Sequence, residues 1–316
     1  MNPDLEPPSP ARPNLGLVCI THSQAVRYRT LTLSRYKYLP EAERPRVLEN
    51  LYRHNLAVLH KALYFCAEKG IRLYRVTSGL FPLSDLADGV GESILETLTA
   101  DLAGIGRLAE RLGIRVVIHP DQYVVLSSDA GAVVENSLRV LEHHARVFDL
   151  FGLPRSPWAA INIHGGKAGK AQQLVRVIGE LAAGVRKRLC LENDERAYGA
   201  AEILAVCQAS GVPMVFDAHH HVVKERLGGF DDPSIAEFVR RAGQTWPDPA
   251  WQIVHLSNGR GGPQDPAHHD LVLEVPPSYR TVPWIEVEAK GKEVAIHHLQ
   301  TYWPQSARAL EAAPTR

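Results

Sequence analysis

The chain has 316 residues, of which 45% are hydrophobic and 22% are charged. This length allows a large buried core, and a barrel of this size commonly forms one domain. Lys plus Arg and Asp plus Glu both number 35, so bulk charge does not favour a polyanionic partner, and a nucleic-acid surface must be a local patch. No leader-like apolar segment and no run of membrane-spanning length is found, so we expect a cytoplasmic protein.

The four cysteines are consistent with a reducing compartment. None of them lies in a CxxC spacing. Cys19 and Cys190 lie in apolar, strand-like runs, so we expect both to be small buried hydrophobic side chains.

Between residues 14 and 303, short β-rich runs alternate with longer helical segments, which is typical of parallel βα units. The flanking segments 1–13 and 304–316 are predicted to be a disordered Pro-rich tail and a loose C-terminal tail. Eight strands are predicted, at Leu15–Ile20, Ile71–Thr77, Ile114–His119, Ala159–His164, Leu189–Glu192, Val212–Asp217, Gln252–Leu256 and Trp284–Glu288. Helical spacing is clearest at Arg46–Glu68, Glu92–Leu112, Val134–Phe151, Ala171–Arg186 and Ala200–Ala209.

Glycines support these boundaries. Gly70, Gly113, Gly152 and Gly211 each precede a predicted strand, where the end of a helix favours a positive φ. A doubly wound sheet would give the same alternation. Eight strands at near-regular spacing favour a single (β/α)8 TIM barrel, in which every strand edge is paired.

Most of the predicted strands end alike, with apolar residues leading into a histidine or a carboxylate. In a barrel such positions converge on the mouth formed by the carboxyl ends of the strands, where active sites of this fold are built. One of the strand ends carries a D-x-x-H pair. The residues are His119, His164, Glu192, Asp217 with His220, His255 and Glu288.

A cluster of this kind requires compensating charge. Burying unpaired carboxylates costs several kcal/mol each, on the order seen for buried ions, and bound divalent cations remove that cost. Mixed imidazole and carboxylate ligands suit Zn²⁺ or Mn²⁺. Two or more such ions can activate water and stabilise the leaving oxygen of a phosphate ester. A single strand-end histidine is more often structural, but the whole set indicates ligation; His219 and His221 need not bind metal.

At these residues the sequence resembles the UV-damage endonuclease family, which is related to endonuclease IV among the xylose-isomerase-like barrels. The resemblance extends from about Leu15 to His298. Each matching segment is weak alone, but their order and spacing are specific. The segments are Tyr74–Pro82, His119–Val124, Asn162–Lys170, Leu191–Arg196, Phe216–His221, Val254–Ser257 and Val287–Glu293.

The resemblance implies a ligand set, a metal and a means of entering DNA. The implied ions are Mn²⁺, two or three of them, with Zn²⁺ or another divalent ion as the alternative. Gln122 and Tyr123 match a Gln-Tyr pair that enters the duplex at the lesion. Lys290 is assigned to phosphate charge, while Glu192, Asp217 and Glu288 bridge or anchor the ions. The implied ligands are His119, His164, Glu192, Asp217, His220, His255, Glu288 and His268, the last with His269 beside it.

Three positions depart from the family pattern. An early histidine ligand is replaced by Leu86, with Asp85 and Asp88 nearby as candidate substitutes. A lysine expected two residues before His255 is Ile253, and an expected tyrosine is Leu17. The departures bear on the number of metal ions and on the lesion preference.

The predicted βα loops carry basic residues that could hold DNA. Lys167 and Arg260 lie in Gly-rich segments, whose backbone N–H groups can approach phosphates. Arg29 and Tyr36 belong to a stretch of arginines and tyrosines after the first strand, suited to backbone contact and base stacking. Solvated loops without a ligand are the alternative.

We therefore predict a monomeric endonuclease that cleaves damaged double-stranded DNA 5′ to UV photoproducts. A metal-dependent sugar isomerase or epimerase of the same superfamily is the alternative enzyme. A catalytically silent, metal-stabilised DNA-binding protein is the third hypothesis. The Gln122–Tyr123 pair and the Arg/Tyr stretch favour DNA, because a small closed sugar pocket needs neither.

Overall fold

The computed structural model describes residues 12–120 and 124–303. Residues 1–11 and 304–316, which account for most of the two predicted tails, lie outside the described residues. So do Gln122 and Tyr123, on which the prediction of lesion entry depends.

Eight parallel strands form a closed barrel in which each strand pairs with the next and β8 pairs with β1. Closure confirms the predicted single (β/α)8 barrel and rules out an open doubly wound sheet. Their short lengths and buried apolar residues are typical of a barrel wall covered by helices. The strands are β1 Asn14–Val18, β2 Leu73–Val76, β3 Arg115–Ile118, β4 Ile161–His164, β5 Leu189–Glu192, β6 Met214–Asp217, β7 Ile253–Leu256 and β8 Trp284–Val287.

Helices surround the barrel and bury one apolar face each against it. The longest, α2, fills the connection from β1 to β2 with a row of buried leucines. The helices are α1 Leu33–Tyr38, α2 Arg44–Glu68, α3 Val90–Thr97, α4 Thr99–Leu112, α5 Gly131–Leu150, α6 Ala171–Glu180, α7 Ala183–Arg186, α8 Ala200–Ser210, α9 Ala218–Glu225, α10 Pro233–Gly243 and α11 Glu293–Tyr302. Short 3₁₀ turns lie at Glu41–Glu43, Pro157–Ala159, Pro249–Trp251 and Pro277–Thr281.

The predicted elements differ from the structure mainly at their ends. Two helices predicted as continuous are each divided in two, at Leu98 and at Leu181. Leu181 has an extended backbone with ψ 142°, which periodicity of side chains does not reveal. Gly113 and Gly211 close their helices at φ 64° and 73°, as predicted. Gly70 and Gly152 also have positive φ.

The end of the barrel opposite the mouth is closed by a buried arginine and tryptophans. Arg115 is 1% exposed. Its guanidinium donates 2.8 Å hydrogen bonds to the carbonyl oxygens of Pro157, Trp158 and Trp251. It also lies 4.6 Å from the centre of the Trp158 ring and 5.2 Å from that of Trp284. We call this end the base.

No helix in the described part of the chain is long and apolar enough to cross a membrane. All four cysteines are free thiols. Cys66, Cys190 and Cys207 are buried in the core, where burial raises their pKa. Cys19 differs from the prediction, because it follows β1 at φ 63° and lines the mouth, where it is half-buried.

Candidate metal centre

The structure brings seven of the eight predicted ligands together at the mouth of the barrel. They form three overlapping groups. Within each group, the candidate ligand nitrogen and oxygen atoms lie within 4.8 Å of one another. Two carboxylates are each shared by two of the groups. The groups are His119 with His164 and Glu192, Glu192 with Asp217 and His220, and Asp217 with His255 and Glu288.

Glu192 is the centre of this cluster. It ends β5 and is 1% exposed. One carboxylate oxygen accepts 2.6 Å from Asn162 Nδ2 and lies 3.1 Å from His119 Nε2, while the other lies 2.9 Å from His255 Nδ1. Burial opposes its negative charge, yet the surrounding histidines hold the Glu192 pKa well below its usual range. Glu192 therefore carries charge at the point where the ligand groups meet.

Asp217 and His220 leave β6 together. Asp217 caps α9, since its Oδ1 accepts 2.7 Å from the backbone N–H of His220. His220 Nδ1 donates 2.9 Å to the carbonyl of Asn193, so Nε2 is the ring nitrogen that a cation would use in place of a proton. Burial would lower the His220 pKa, but the carboxylates of Asp217 and Glu192 outweigh it and raise that pKa to about 9. The acidic cluster therefore attracts positive charge strongly.

His268 approaches the cluster from the loop after β7. Its Nδ1 donates 2.9 Å to the carbonyl of Glu288, and its ring centre lies 6.5 Å from that of His220. It lines the same cavity as His119 and His220. His269 instead uses Nδ1 to accept 2.9 Å from the backbone N–H of Leu271. The geometry therefore favours His268 over its neighbour as the eighth ligand.

Sequence reasoning missed two charged residues inside the barrel beneath the cluster. Arg75 on β2 is 7% exposed and Glu286 on β8 is 3% exposed, and they form an ion pair. Arg75 also contacts Glu288 and His255. A signal was present, because an arginine within the apolar run of β2 and a glutamate two residues before Glu288 both point to buried charge.

Two observations test whether divalent cations fit. Among the described residues, Asp217 Oδ2 and His164 Nδ1 are buried without a hydrogen-bond partner, which is costly unless a cation or water satisfies them. The donor set combines imidazole nitrogens and carboxylate oxygens, which suits Mn²⁺ or Zn²⁺. The ligand groups therefore fit divalent cations.

The position of the missing early histidine brings no substitute ligand into the described groups. Leu86 packs against the core, and Asp85 joins none of the three groups. Asp88 Oδ2 accepts 2.7 Å from the hydroxyl of Tyr36. Tyr36 lies on α1 and is only 2% exposed, so in this structure its ring is packed within the protein; its predicted stacking on a base stays a prediction.

The other two departures place apolar side chains in the barrel wall. Ile253 is 1% exposed and packs with Leu73 and Trp246 towards the base. Leu17 is fully buried in the main core. The described structure therefore gives neither residue a role at the mouth.

The predicted basic residues lie at the surface of the mouth loops. Arg29 and Arg260 are exposed. Lys167 is exposed and pairs with Asp129 in the loop after β3. Gly166 precedes it at φ 84°, and a Cβ there would lie 2.8 Å from Ser127 Oγ, so this close loop packing requires glycine.

Two buried or half-buried side chains hold the loop after β1. The side chain of Asn55 on α2 forms two hydrogen bonds with the backbone of Arg29. Its Oδ1 accepts from the N–H at 2.9 Å, and its Nδ2 donates to the carbonyl at 3.0 Å. Glu293 accepts from the backbone N–H groups of His22 and Ser23 at 2.6 and 2.7 Å. The loop that presents Arg29 is therefore anchored at two points.

Of the two lysines that follow β8, Lys290 is exposed and does not line the mouth cavities. Lys292 is half-buried, and its charge interacts with Glu288 and Cys19. Burial lowers the Lys292 pKa. The less exposed Lys292 is therefore a further candidate for a charge role beside Glu288, whereas sequence reasoning considered only Lys290 for that role.

Comparison with known proteins adds the family. Residues 13–310 match the sequence model of UV-endonuclease UvdE. The UV DNA damage endonuclease of Nostoc sp. is 53% identical, covering 93% of this chain and 91% of that protein. The UV DNA damage endonuclease of Deinococcus radiodurans is 50% identical, covering 93% and 97%.

Solved structures agree on the fold. The crystal structure of SacUVDE superposes with a TM-score of 0.75 at 24% identity, covering 91% of this chain and 98% of that one. Endonuclease IV from Thermus thermophilus gives a TM-score of 0.54 at 16% identity, covering 95% and 100%. At these identities the likeness supports the barrel alone.

Proposed function

The chain belongs to the UV-endonuclease UvdE family, and we propose that it hydrolyses the DNA phosphodiester on the 5′ side of UV photoproducts, leaving a 3′-hydroxyl. The substrate would be damaged double-stranded DNA and the enzyme a monomer in the cytoplasm. Two relatives at 50–53% identity over most of the chain are named UV DNA damage endonucleases. The observation that carries the proposal is the set of overlapping ligand groups at the barrel mouth of a chain that belongs to this family.

The cofactor in this proposal is Mn²⁺, with two or three ions held by the mouth residues. When bound, such ions activate water and neutralise charge on the phosphate and the leaving oxygen. Glu192 and Asp217 each belong to two groups and would bridge neighbouring ions, while Glu288 would anchor one. His268, with Nδ1 already bonded to a carbonyl, would offer Nε2.

The protein's own residues would hold the DNA around this centre. Arg29, Lys167 and Arg260 would contact the DNA backbone, and Lys290 would steady charge on a phosphate. The charge of Lys292 interacts with Glu288. Gln122 and Tyr123 would enter the duplex beside the lesion. They follow His119 closely in sequence, so the lesion would be held next to the ligands.

Family membership favours this function over the sugar isomerase or epimerase, since the relatives at 50–53% identity are named as DNA endonucleases. The catalytically silent DNA-binding protein makes a different prediction. It would bind a damaged duplex and leave it intact in the presence of Mn²⁺.

The test is incision of an end-labelled, UV-irradiated duplex with Mn²⁺ or with EDTA, mapped to the nucleotide. We expect a single cut 5′ to the photoproduct with Mn²⁺, no cut with EDTA, and no cut in unirradiated DNA. Intact irradiated strands under all conditions would contradict the proposed function. Cleavage unchanged by EDTA would contradict the metal requirement.

A further inference from the structure

We propose that Arg75 and Glu286 form a positioning pair beneath the metal-ligand cluster, which fixes His255 and Glu288 for ligation. This inference rests on the proposed function, because it assigns the two residues a role toward the cations of that site. Neither residue belongs to the three ligand groups of the described chain.

Each of the three guanidinium nitrogens of Arg75 contacts a different partner. Nε pairs with Glu286, Nη1 lies 2.6 Å from Glu288 Oε1, and Nη2 lies 2.8 Å from His255 Nε2. The guanidinium is a planar fork with fixed donor directions, so three simultaneous contacts fix the relative positions of the three partners. They lie on β7, on β8 and just after it, whereas Arg75 lies on β2.

The pair restrains the carboxylate of Glu288. Its ion-pair contacts with Arg75 at 2.6 Å and with His255 Nδ1 at 3.4 Å both use Oε1. Oε2 makes neither of these contacts, so it could bind a cation while Oε1 is held. Glu286 pairs with the guanidinium and supplies a second negative charge, so Arg75 does not have to be neutralised by the ligand Glu288 alone.

The pair also restrains the ring of His255. Its Nδ1 lies 2.9 Å from Glu192 Oε1 and therefore faces the cluster, while Nε2 lies 2.8 Å from Arg75 Nη2 and 3.5 Å from Glu286 Oε1. Both members of the pair thus contact the side of the ring that is turned away from Glu192, and these contacts keep Nδ1 directed toward the cluster.

The competing explanation is that the pair only stabilises the barrel. A purely structural buried ion pair can be replaced by apolar residues of similar volume without loss. The Arg188–Asp149 pair provides a control ion pair, since Arg188 is 0% exposed and its Nη2 lies 2.8 Å from Oδ1 of Asp149, whose side chain is 32% exposed. Arg188 directly precedes β5, at the end of the strand away from the mouth.

The experiment measures Mn²⁺ affinity of the metal-stripped full-length protein by titration calorimetry and by the spin-resonance signal of free Mn²⁺. The variants are Glu286→Gln, the double variant Arg75→Met with Glu286→Leu, and the control Asp149→Asn. Circular dichroism and thermal unfolding report folding, and damaged-duplex affinity in EDTA reports the DNA surface.

We expect Glu286→Gln and the double variant to lose about 10- to 100-fold in Mn²⁺ affinity, while duplex affinity in EDTA stays unchanged. Asp149→Asn should unfold at lower temperature and keep wild-type Mn²⁺ affinity. Wild-type Mn²⁺ affinity in Glu286→Gln and in a folded double variant would overturn the inference. If the double variant does not fold, the near-isosteric Glu286→Gln decides alone.

The outcome for the proposed function is separate. A wild-type protein that binds Mn²⁺ but leaves irradiated DNA intact would contradict the proposed endonuclease, and reduced affinity in Glu286→Gln would still support the positioning pair. A wild-type protein that binds no Mn²⁺ would contradict both.

Discussion

The two ends of the barrel each hold a buried arginine, in opposite surroundings. At the base, Arg115 donates to three backbone carbonyls and lies against tryptophan rings, so its partners are neutral. At the mouth, Arg75 contacts Glu286, Glu288 and His255. Burial lowers the Arg115 pKa to about 9, whereas the two glutamates outweigh burial and raise the Arg75 pKa.

The surroundings of the two arginines indicate that the base of the barrel stabilises the fold and that the mouth can bind cations. At the base, each of the three guanidinium nitrogens of Arg115 has an acceptor within the protein. The mouth has buried carboxylates in excess of Arg75, and Asp217 Oδ2 lacks a hydrogen-bond partner in the described chain. Bound cations can compensate the negative charge that the protein's own residues leave unpaired at the mouth.

The largest effect is expected from Glu192→Gln at the mouth. Nicking of irradiated DNA should fall at least about 100-fold, because the bridging charge between two ligand groups is lost. Damaged-duplex affinity in EDTA should change little. Glu202→Gln is the control, since Glu202 accepts from the backbone N–H of Gly199 at the start of α8 and belongs to none of the three ligand groups of the described residues. Full nicking by Glu192→Gln would remove this residue from the mechanism.

At the base the expected effect is on folding. Arg115→Met should lower the free energy of unfolding by about 3 kcal/mol, because three partly buried carbonyls lose their donor. Chemical denaturation measures this loss. Nicking per folded molecule should stay at the wild-type rate. A variant of wild-type stability, or one that is folded but inactive, would contradict the division between the two ends.

Within the mouth, the variants His268→Ala and His269→Ala test which of these two histidines is the eighth ligand. His268→Ala should lower Mn²⁺ affinity about 10- to 100-fold, and His269→Ala should change it little, because only His268 lines the cavity with His220. Calorimetric titration measures both variants. The reverse order would move the ligand to His269.

The smallest effect is expected at the rim. Arg29→Ala should weaken damaged-duplex binding several-fold and reduce the salt dependence of affinity by about one unit of slope. Arg111→Ala, at an exposed position in the last turn of α4, is the control. A fluorescence-anisotropy titration at several salt concentrations measures both. Equal slopes for the wild type and Arg29→Ala would remove Arg29 from the DNA surface.

The fold and most of the candidate cluster were predictable from the sequence because six of the eight strand ends each carry a local signal. His119, Glu192 and Asp217 follow apolar runs, and the barrel brings such ends together regardless of the loops between them. Because the barrel is closed, the candidate ligands at six separate strand ends lie in one site.

What the sequence did not predict depends on how distant segments pack. Arg75 and Glu286 lie on strands separated by more than 200 residues, and only the closed barrel places them together. Tyr36 was predicted to take part in DNA binding from the stretch of arginines and tyrosines around it, and its hydrogen bond to Asp88, which lies beyond α2, was not predicted. Neither contact leaves a periodic pattern in the chain.

The central claim is most directly tested by crystals grown with Mn²⁺ and measured on both sides of the manganese absorption edge. Anomalous difference peaks should lie between the side chains at the mouth, with one peak within about 2.3 Å of Glu192 or Asp217 oxygens, a typical coordination distance for a divalent ion. A mouth without peaks in crystals of protein that cleaves irradiated DNA, or peaks only at other surfaces, would contradict the account.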